Sequence, residues 1–258
     1  MRSVTVALVA GRTFVIGDIH GELDHLRALV AKLPLLDRDD TLVFLGDYID
    51  RGPSSEEVVR VVRRFDQDLG CKVILLRGNH EDAWLRVIDR GWVEFVFPPG
   101  NGCLATMRSY TDGPRVAEDE MPKDHEVVAL HSGTFFPPEI VAWMKELPYW
   151  YEDEHAIYVH AGLLERGGQF LHPKDTDPIS ALIWTRSQDF FRDYRGKRVI
   201  VGHTKTDYLP PELDKLTPHD PADVWAGECV VAIDTGCGHD GRFLTCVELP
   251  SLTIYESR

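Results

Sequence analysis

Short apolar runs and amphipathic spans alternate through the first third of the chain. Thr13 to Ile16 is a β-prone run that stops at Gly17-Asp18. Beyond it, Leu23, Leu26, Leu29, Val30 and Leu33 recur at the spacing of one helical face. Thr41 to Leu45 reads as the next strand. Ser54-Ser55-Glu56-Glu57 then predicts a helix start, with Ser54 as N-cap and Glu57 at the N3 position of a capping box. Val58, Val61, Val62 and Phe65 follow on one face, and Lys72 to Leu76 predicts a third strand. This β-α-β-α-β order predicts parallel strands joined by crossover helices.

Between about residues 82 and 150 the pattern changes. Trp84, Trp92 and Trp143 fall here, with a Pro/Gly loop from Pro98 to Gly102 and a helical stretch from Pro138 to Leu147. The expectation is a mainly helical, cap-like insertion within a single domain spanning 1–258. Its polar run, Ala117 to Glu126, is expected to be solvated. Later strands are expected at Ala156 to Val159, Arg198 to Val201 and Val230 to Ile233. Arg242 to Leu249 and Leu252 to Tyr255, around Pro250-Ser251, read as a hairpin.

Composition narrows the function classes. With 43% hydrophobic residues the chain is globular rather than disordered. A net charge of −14 argues against broad binding to nucleic acid duplexes or anionic lipid, while bound metals could still invert the potential locally. Cys71, Cys103, Cys229, Cys237 and Cys246 are odd in number and form no CxxC pair, which suits a reducing compartment better than a disulfide framework. Arg2 followed by Val4, Val6, Ala7, Leu8, Val9 and Ala10 loosely imitates a signal peptide. Cleavage near Ala10 would take a first strand from the core, so this segment is read as strand. No stretch approaches the ~20 apolar residues of a membrane span. A cytoplasmic monomer is the expectation.

The candidate chemistry sits where the predicted strands end. Asp18 and His20 follow the first, Asp47 the second, Asn79 and His80 the third, His160 the fourth and His203 the fifth. In open α/β sheets, the crevice beyond the carboxyl ends of the strands is where ligands bind. Singly, each residue has an ordinary reading: an Asp before a helix is usually an N-cap. Together they make a set of oxygens and imidazoles that suits Mn, Fe, Zn, Co or Ni. Such a set exceeds what one ion needs with positions left for water and substrate. A carboxylate bridging two ions resolves the excess. Gly17, Gly46, Gly78 and Gly202 each precede a candidate ligand, where a tight turn must bring backbone close to it.

Gly17-Asp18-Ile19-His20-Gly21, Gly46-Asp47-Tyr48-Ile49-Asp50-Arg51-Gly52 and Arg77-Gly78-Asn79-His80-Glu81 resemble the three signature blocks of the phosphoprotein phosphatase family, within the calcineurin-like metallophosphoesterases. His160-Ala161-Gly162-Leu163 and Val201-Gly202-His203-Thr204 resemble its two later histidine blocks. The nearest likeness is to the shorter bacterial and bacteriophage serine/threonine phosphatases, over about residues 13–249. The resemblance implies an α/β fold: a β-sandwich of two mixed sheets flanked by helices. It implies two divalent metal ions, with manganese the first choice. Asp18 and His20 would hold the first, Asp47 would bridge, and Asn79, His160 and His203 would complete the second. A water or hydroxide shared by the metals would attack phosphorus in line, without a phosphoenzyme. His80 would be the general acid, oriented by Asp50. Arg51 would clamp phosphate, with Asn79 also reaching substrate. Ile183-Trp184-Thr185-Arg186 resembles a later element of the bacterial enzymes, which makes Arg186 the second clamp.

Arg77 is expected to support its loop, His131 to be an ordinary loop histidine, and His25 to lie on the surface. His155, His172, His219 and His239 carry no argument for catalysis. The implied substrate is a phosphorylated protein or a small phosphoester, phosphoserine or phosphothreonine above all. A bis(5'-nucleosyl)-tetraphosphatase or other nucleotide hydrolase is the alternative, although those relatives tend to lack the aspartate where Asp50 stands. A catalytically dead module would show eroded ligands, and the blocks are intact.

Overall fold

The computed structural model describes residues 11–97, 99–117 and 120–258. The apolar run before Gly11, expected as strand, lies outside them. The described chain opens with β1 (Thr13–Ile16), α1 (Leu23–Val30), β2 (Thr41–Phe44), α2 (Ser55–Val62), the short α3 (Phe65–Asp68) and β3 (Lys72–Leu75). Helices α4 (Asn79–Arg90), α5 (Cys103–Tyr110), α6 (Asp124–Ser132) and α7 (Pro138–Glu146) follow, with no strand between them among the described residues. Then come β4 (Trp150–Glu152), β5 (Ile157–Val159), the small hairpin of β6 (Glu165–Arg166) and β7 (Gln169–Phe170), α8 (Ala181–Trp184) and α9 (Gln188–Asp193). The last part holds β8 (Val199–Val201), β9 (Trp225–Ala226), β10 (Val230–Ala232), β11 (Thr245–Leu249) and β12 (Thr253–Glu256).

Two mixed five-stranded sheets result, ordered β12-β11-β1-β2-β3 and β4-β5-β8-β10-β9. The strands β1, β2 and β3 run parallel, and β11 pairs antiparallel on β1 with Thr13 opposite Leu249. In the second sheet β5, β8 and β10 run parallel between antiparallel edges. Alternation along the strands explains the layers. Val15, Val43 and Val247 face Tyr158, Ile200 and Val231 across the sandwich. Phe14, Ile16, Leu42 and Phe44 face outward into one cluster with residues of α1, α2, α4 and α5. Ile157, Val159, Val199 and Val201 pack against Leu182, Phe190 and Phe191 on the other side. Strands covered on both faces read as unbroken apolar runs, which is why they were legible. The expected fold, two mixed sheets flanked by helices, is the one found.

Several local expectations need correction. Ser54 is the N-cap of α2, but its side chain makes no cap bond. The start of α2 is served instead from α5, where Ser109 Oγ accepts from the Glu56 N–H at 2.9 Å and donates to Glu57 at 3.3 Å. With that partner supplied by packing, the local box is not needed. Phe65 belongs to α3 rather than to α2 but is buried as expected, whereas Val61 is only half-buried and Val59 is buried instead. The polar run near residue 120 is not simply solvated. Buried Arg108 of α5 binds Glu120 at 2.6 Å and Glu126 at 2.9 Å, which ties the run to the helix. His25 is half-buried, with Nδ1 2.7 Å from Ser257 Oγ. Residue 82 falls inside α4, so the helical stretch begins within an element that also carries Asn79 and His80. Among the described residues, no helix is long and apolar enough to cross a membrane. All five cysteines are unpaired.

Candidate metal centre and active site

The carboxyl ends of β1, β2, β3, β5, β8 and β10 converge on one edge of the sandwich. Packing there is so close that two glycines have no alternative. A Cβ on Gly78 would lie 2.1 Å from Asp47 Oδ1, and one on Gly202 would lie 2.1 Å from Asp18 Oδ1. Their role is close approach of backbone to a carboxylate. Five non-glycine residues at the same edge are held at positive φ: His20, Asp47, Asp50, Arg51 and His203. Each such conformation costs on the order of 1–3 kcal/mol and persists only where surroundings enforce it. The loops are braced by Glu81, at N3 of α4, whose carboxylate accepts from the backbone N–H groups of Asp47, Tyr48 and Gly78 at 2.9–3.0 Å. Burial raises the Glu81 carboxyl to about 7.

Asp18, His20, Asp47, Asn79, His160 and His203 are all buried there together. Donor atoms of Asp47, His160 and His203 lie within 4.8 Å of one another, as do those of His20, Asp47 and His80. Asp18 adjoins the second group, with Oδ2 4.0 Å from His20 Nε2. Two tautomers can be assigned. His20 Nδ1 donates to the Ile49 carbonyl at 3.0 Å, and His160 Nδ1 donates to the Leu45 carbonyl at 3.0 Å. Metal-ligating histidines are held by such backbone bonds. Burial pushes both imidazoles toward the neutral form, which leaves each Nε2 a lone pair.

Those lone pairs point at side-chain oxygens. His20 Nε2 has no hydrogen-bond partner and lies 3.5 Å from Asp47 Oδ2. His160 Nε2 lies 2.9 Å from the Asn79 side-chain oxygen, which His203 Nδ1 also meets at 2.7 Å. Lone pairs directed at oxygens repel unless a cation sits among them. Burial also holds the Asp18 carboxyl well above its ordinary range, with Asp234 and Asp47 adding like-charge repulsion. The residues present therefore fit divalent cations of borderline hardness.

His80 differs from the other imidazoles. Its Nδ1 donates to Asp50 Oδ2 at 2.7 Å. Burial pulls its pKa down, but the Asp47 charge and the Asp50 bond outweigh this, and the net shift is upward. Arg51 is half-buried, its Nε has no partner, and it borders a cavity of about 340 Å³ shared with Gly102, Leu104, Gly238 and His239. Arg186 is exposed and donates from Nη1 to the His203 carbonyl at 3.2 Å, which brings it to the same edge. Arg77 points away, donating to the Tyr149 hydroxyl at 2.7 Å and the Lys145 carbonyl at 2.6 Å. His131 lies in the last turn of α6 rather than in a loop, with its ring against Phe97.

The profile of calcineurin-like phosphoesterases matches residues 11–207. The chain belongs to the calcineurin-like phosphoesterase family. Over 69 residues it is 46% identical to a symmetrical bis(5'-nucleosyl)-tetraphosphatase of Yersinia pestis (strain Pestoides F), covering 27% of this chain and 22% of that protein. It thus spans under a quarter of the length of the curated relatives it matches. Among solved structures, a candidate diadenosine tetraphosphatase superposes with a TM-score of 0.56 at 19% identity, covering 98% of this chain and 96% of the other. A cold-active protein-tyrosine phosphatase from a psychrophilic Shewanella gives 0.54 at 17% identity, covering 96% and 80%. At such identities the likeness speaks for the fold alone.

As a metallophosphoesterase, the chain has site residues that sequence reasoning passed over. Asp234 follows β10 and is buried beside Asp18 and Asp47. Ile233-Asp234-Thr235-Gly236 repeats the apolar run ending in an acid and a glycine, so the signal was present. Trp84 and Thr106 both reach Asp50, and neither carries a local sign of it. Three buried carboxylates in one site make a testable demand. Stripping divalent ions with a chelator should lower the melting temperature. Restoring an ion at a hundredfold its Kd should return about 2.7 kcal/mol per site. Thermal melts with chelator and with added Mn²⁺ measure this, and an unchanged melting temperature would mean the cluster holds no ion.

Proposed function

We propose that this metallophosphoesterase is a phosphatase using two divalent ions, manganese in the first instance, on phosphomonoesters, above all phosphoserine and phosphothreonine in proteins. Asp18, His20 and Asp47 would hold one ion, and Asp47, Asn79, His160 and His203 the other. When bound, the pair would supply Lewis-acid polarisation of the phosphoryl group and a lowered pKa for water. The chain's own residues do the rest. Arg51, with its unpartnered Nε beside the cavity, and Arg186 offer planar forks to the phosphoryl oxygens. Asn79 would reach substrate as well as metal. With Nδ1 occupied by Asp50, His80 has only Nε2 free to give a proton to the leaving alkoxide. Residues 82–150 act as a cap that shapes substrate choice, and a reducing cytoplasm suits the unpaired cysteines.

The observation that carries the protein-phosphatase reading is the buried Asp50–His80 pair at 2.7 Å. An alkoxide of serine or threonine is a poor leaving group and needs a proton, whereas a nucleotide phosphate leaves more readily. The second reading, a dinucleoside-tetraphosphate hydrolase, draws on the 46% local identity to the Yersinia enzyme. Phosphate release by metal-stripped protein, with and without Mn²⁺, separates them when a phosphoserine/phosphothreonine peptide and diadenosine tetraphosphate are compared. Metal-dependent turnover of the peptide is the expected result. Preference for the dinucleotide would overturn the substrate assignment and make the cavity beside Arg51 a nucleotide pocket.

A further inference from the structure

The Asp50 carboxylate carries more than its bond to His80. Trp84 Nε1 donates to Asp50 Oδ1 at 2.9 Å and to Oδ2 at 3.1 Å. Thr106 Oγ1 donates to Oδ1 at 2.7 Å. The same threonine oxygen accepts from the Asp50 backbone N–H at 2.8 Å, so Thr106 clips this left-handed residue's backbone to its own side chain. The hydroxyl proton of Thr106 is spent on the carboxylate. Ser55 Oγ, 3.0 Å away, must therefore be the donor of the bond between the two hydroxyls. All these groups are buried, and Trp84 is wedged edge-on against Phe95, Phe135 and Phe136. The two hydroxyl protons, of Thr106 and of Ser55, thus each have one direction. The carboxylate has one orientation, with Oδ2 presented to His80 Nδ1.

The geometry points to Thr106 and Trp84 as positioning residues for proton delivery by His80, acting through Asp50. The inference rests on the phosphatase reading for its kinetic consequence and stands on the hydrogen bonds for its structural one. It makes the helical stretch part of the catalytic apparatus. Trp84 sits one turn beyond His80 on α4, so His80 and Trp84 grip one carboxylate from one helix. Thr106 comes from α5, 56 positions from Asp50. A carboxylate with only the histidine to hold it could rotate and carry the imidazole off line.

Thr106→Val keeps the shape and removes the hydroxyl, while Thr106→Ser restores it. Trp84→Phe keeps the aromatic wedge and removes the N–H, which guards against a valine variant that folds poorly. On a phosphoserine peptide with Mn²⁺, Thr106→Val and Trp84→Phe should each lower kcat about 10- to 100-fold with KM little changed, as a small misplacement of an acid does. Hydrolysis of 4-nitrophenyl phosphate, whose leaving group needs no proton, should fall far less, and Thr106→Ser should recover the peptide rate. Equal losses on both substrates, or no loss on either, would overturn the positioning role. In parallel, the low-field proton resonance of the His80 Nδ1–H bond should shift or vanish in Thr106→Val and return in Thr106→Ser. If the wild-type protein hydrolyses neither substrate, the phosphatase reading falls, and the resonance alone decides the inference. An unmoved resonance overturns it, and a lost and restored one upholds it.

Discussion

Replacing His80 with alanine should cut turnover of a phosphoserine peptide by about 10²–10⁴-fold, the usual contribution of a general acid. Hydrolysis of 4-nitrophenyl phosphate should fall by less than about tenfold, because nitrophenolate departs unaided. The asymmetry follows from where the ring's nitrogens point. Nδ1 is committed to Asp50 at 2.7 Å, and Nε2 lies 3.8 Å from Asp47 Oδ2, on the side of the ligand cluster. His80 is also near enough to His20 and Asp47 to serve as a metal ligand. The two roles predict different outcomes. Loss of a ligand would lower metal content and would slow both substrates alike. Steady-state rates on the two substrates, together with metal content by elemental analysis, separate them. Equal loss on both would sink the general-acid assignment.

Asp47→Asn should leave fewer than two metal ions per chain and slow both substrates together by at least about a thousandfold, since a metal supplies several kcal/mol of transition-state stabilisation. Asp47 has one oxygen toward each side of the cluster. Oδ1 lies 3.5 Å from His160 Nε2, and Oδ2 lies 3.5 Å from His20 Nε2. Burial works against its charge, and the His80 backbone N–H, donating to Oδ1 at 3.0 Å, offsets part of this. Asparagine has the same shape, so the turn at Asp47 and the bond from the His80 N–H to Oδ1 can persist. What it lacks is the negative charge and the second anionic oxygen. Full occupancy by two ions in the variant would refute the bridging role, whatever the rates.

The sequence by itself determined the parts of this protein that depend on neighbouring residues. An apolar run of four or five residues that stops at a glycine and an acid or histidine is written within a few positions. Asp18, His20, Asp47, Asn79, His80, His160 and His203 could therefore be placed at strand ends, and the structure brings them to one buried edge. The parallel β1-β2-β3 order followed from helices lying between the strands. Tertiary structure decided what long-range bonds decide. Ser109 displaced the local capping box of α2. Trp84 and Thr106 converge on Asp50 from 34 and 56 positions away. β11 pairs with β1 from the far end of the chain. A hydrogen bond between distant residues leaves no periodicity in either segment, because each side chain is selected by a partner that only folding supplies. Strand ends and tight glycine turns are local events, and that difference in range separates what could be read from what had to be seen.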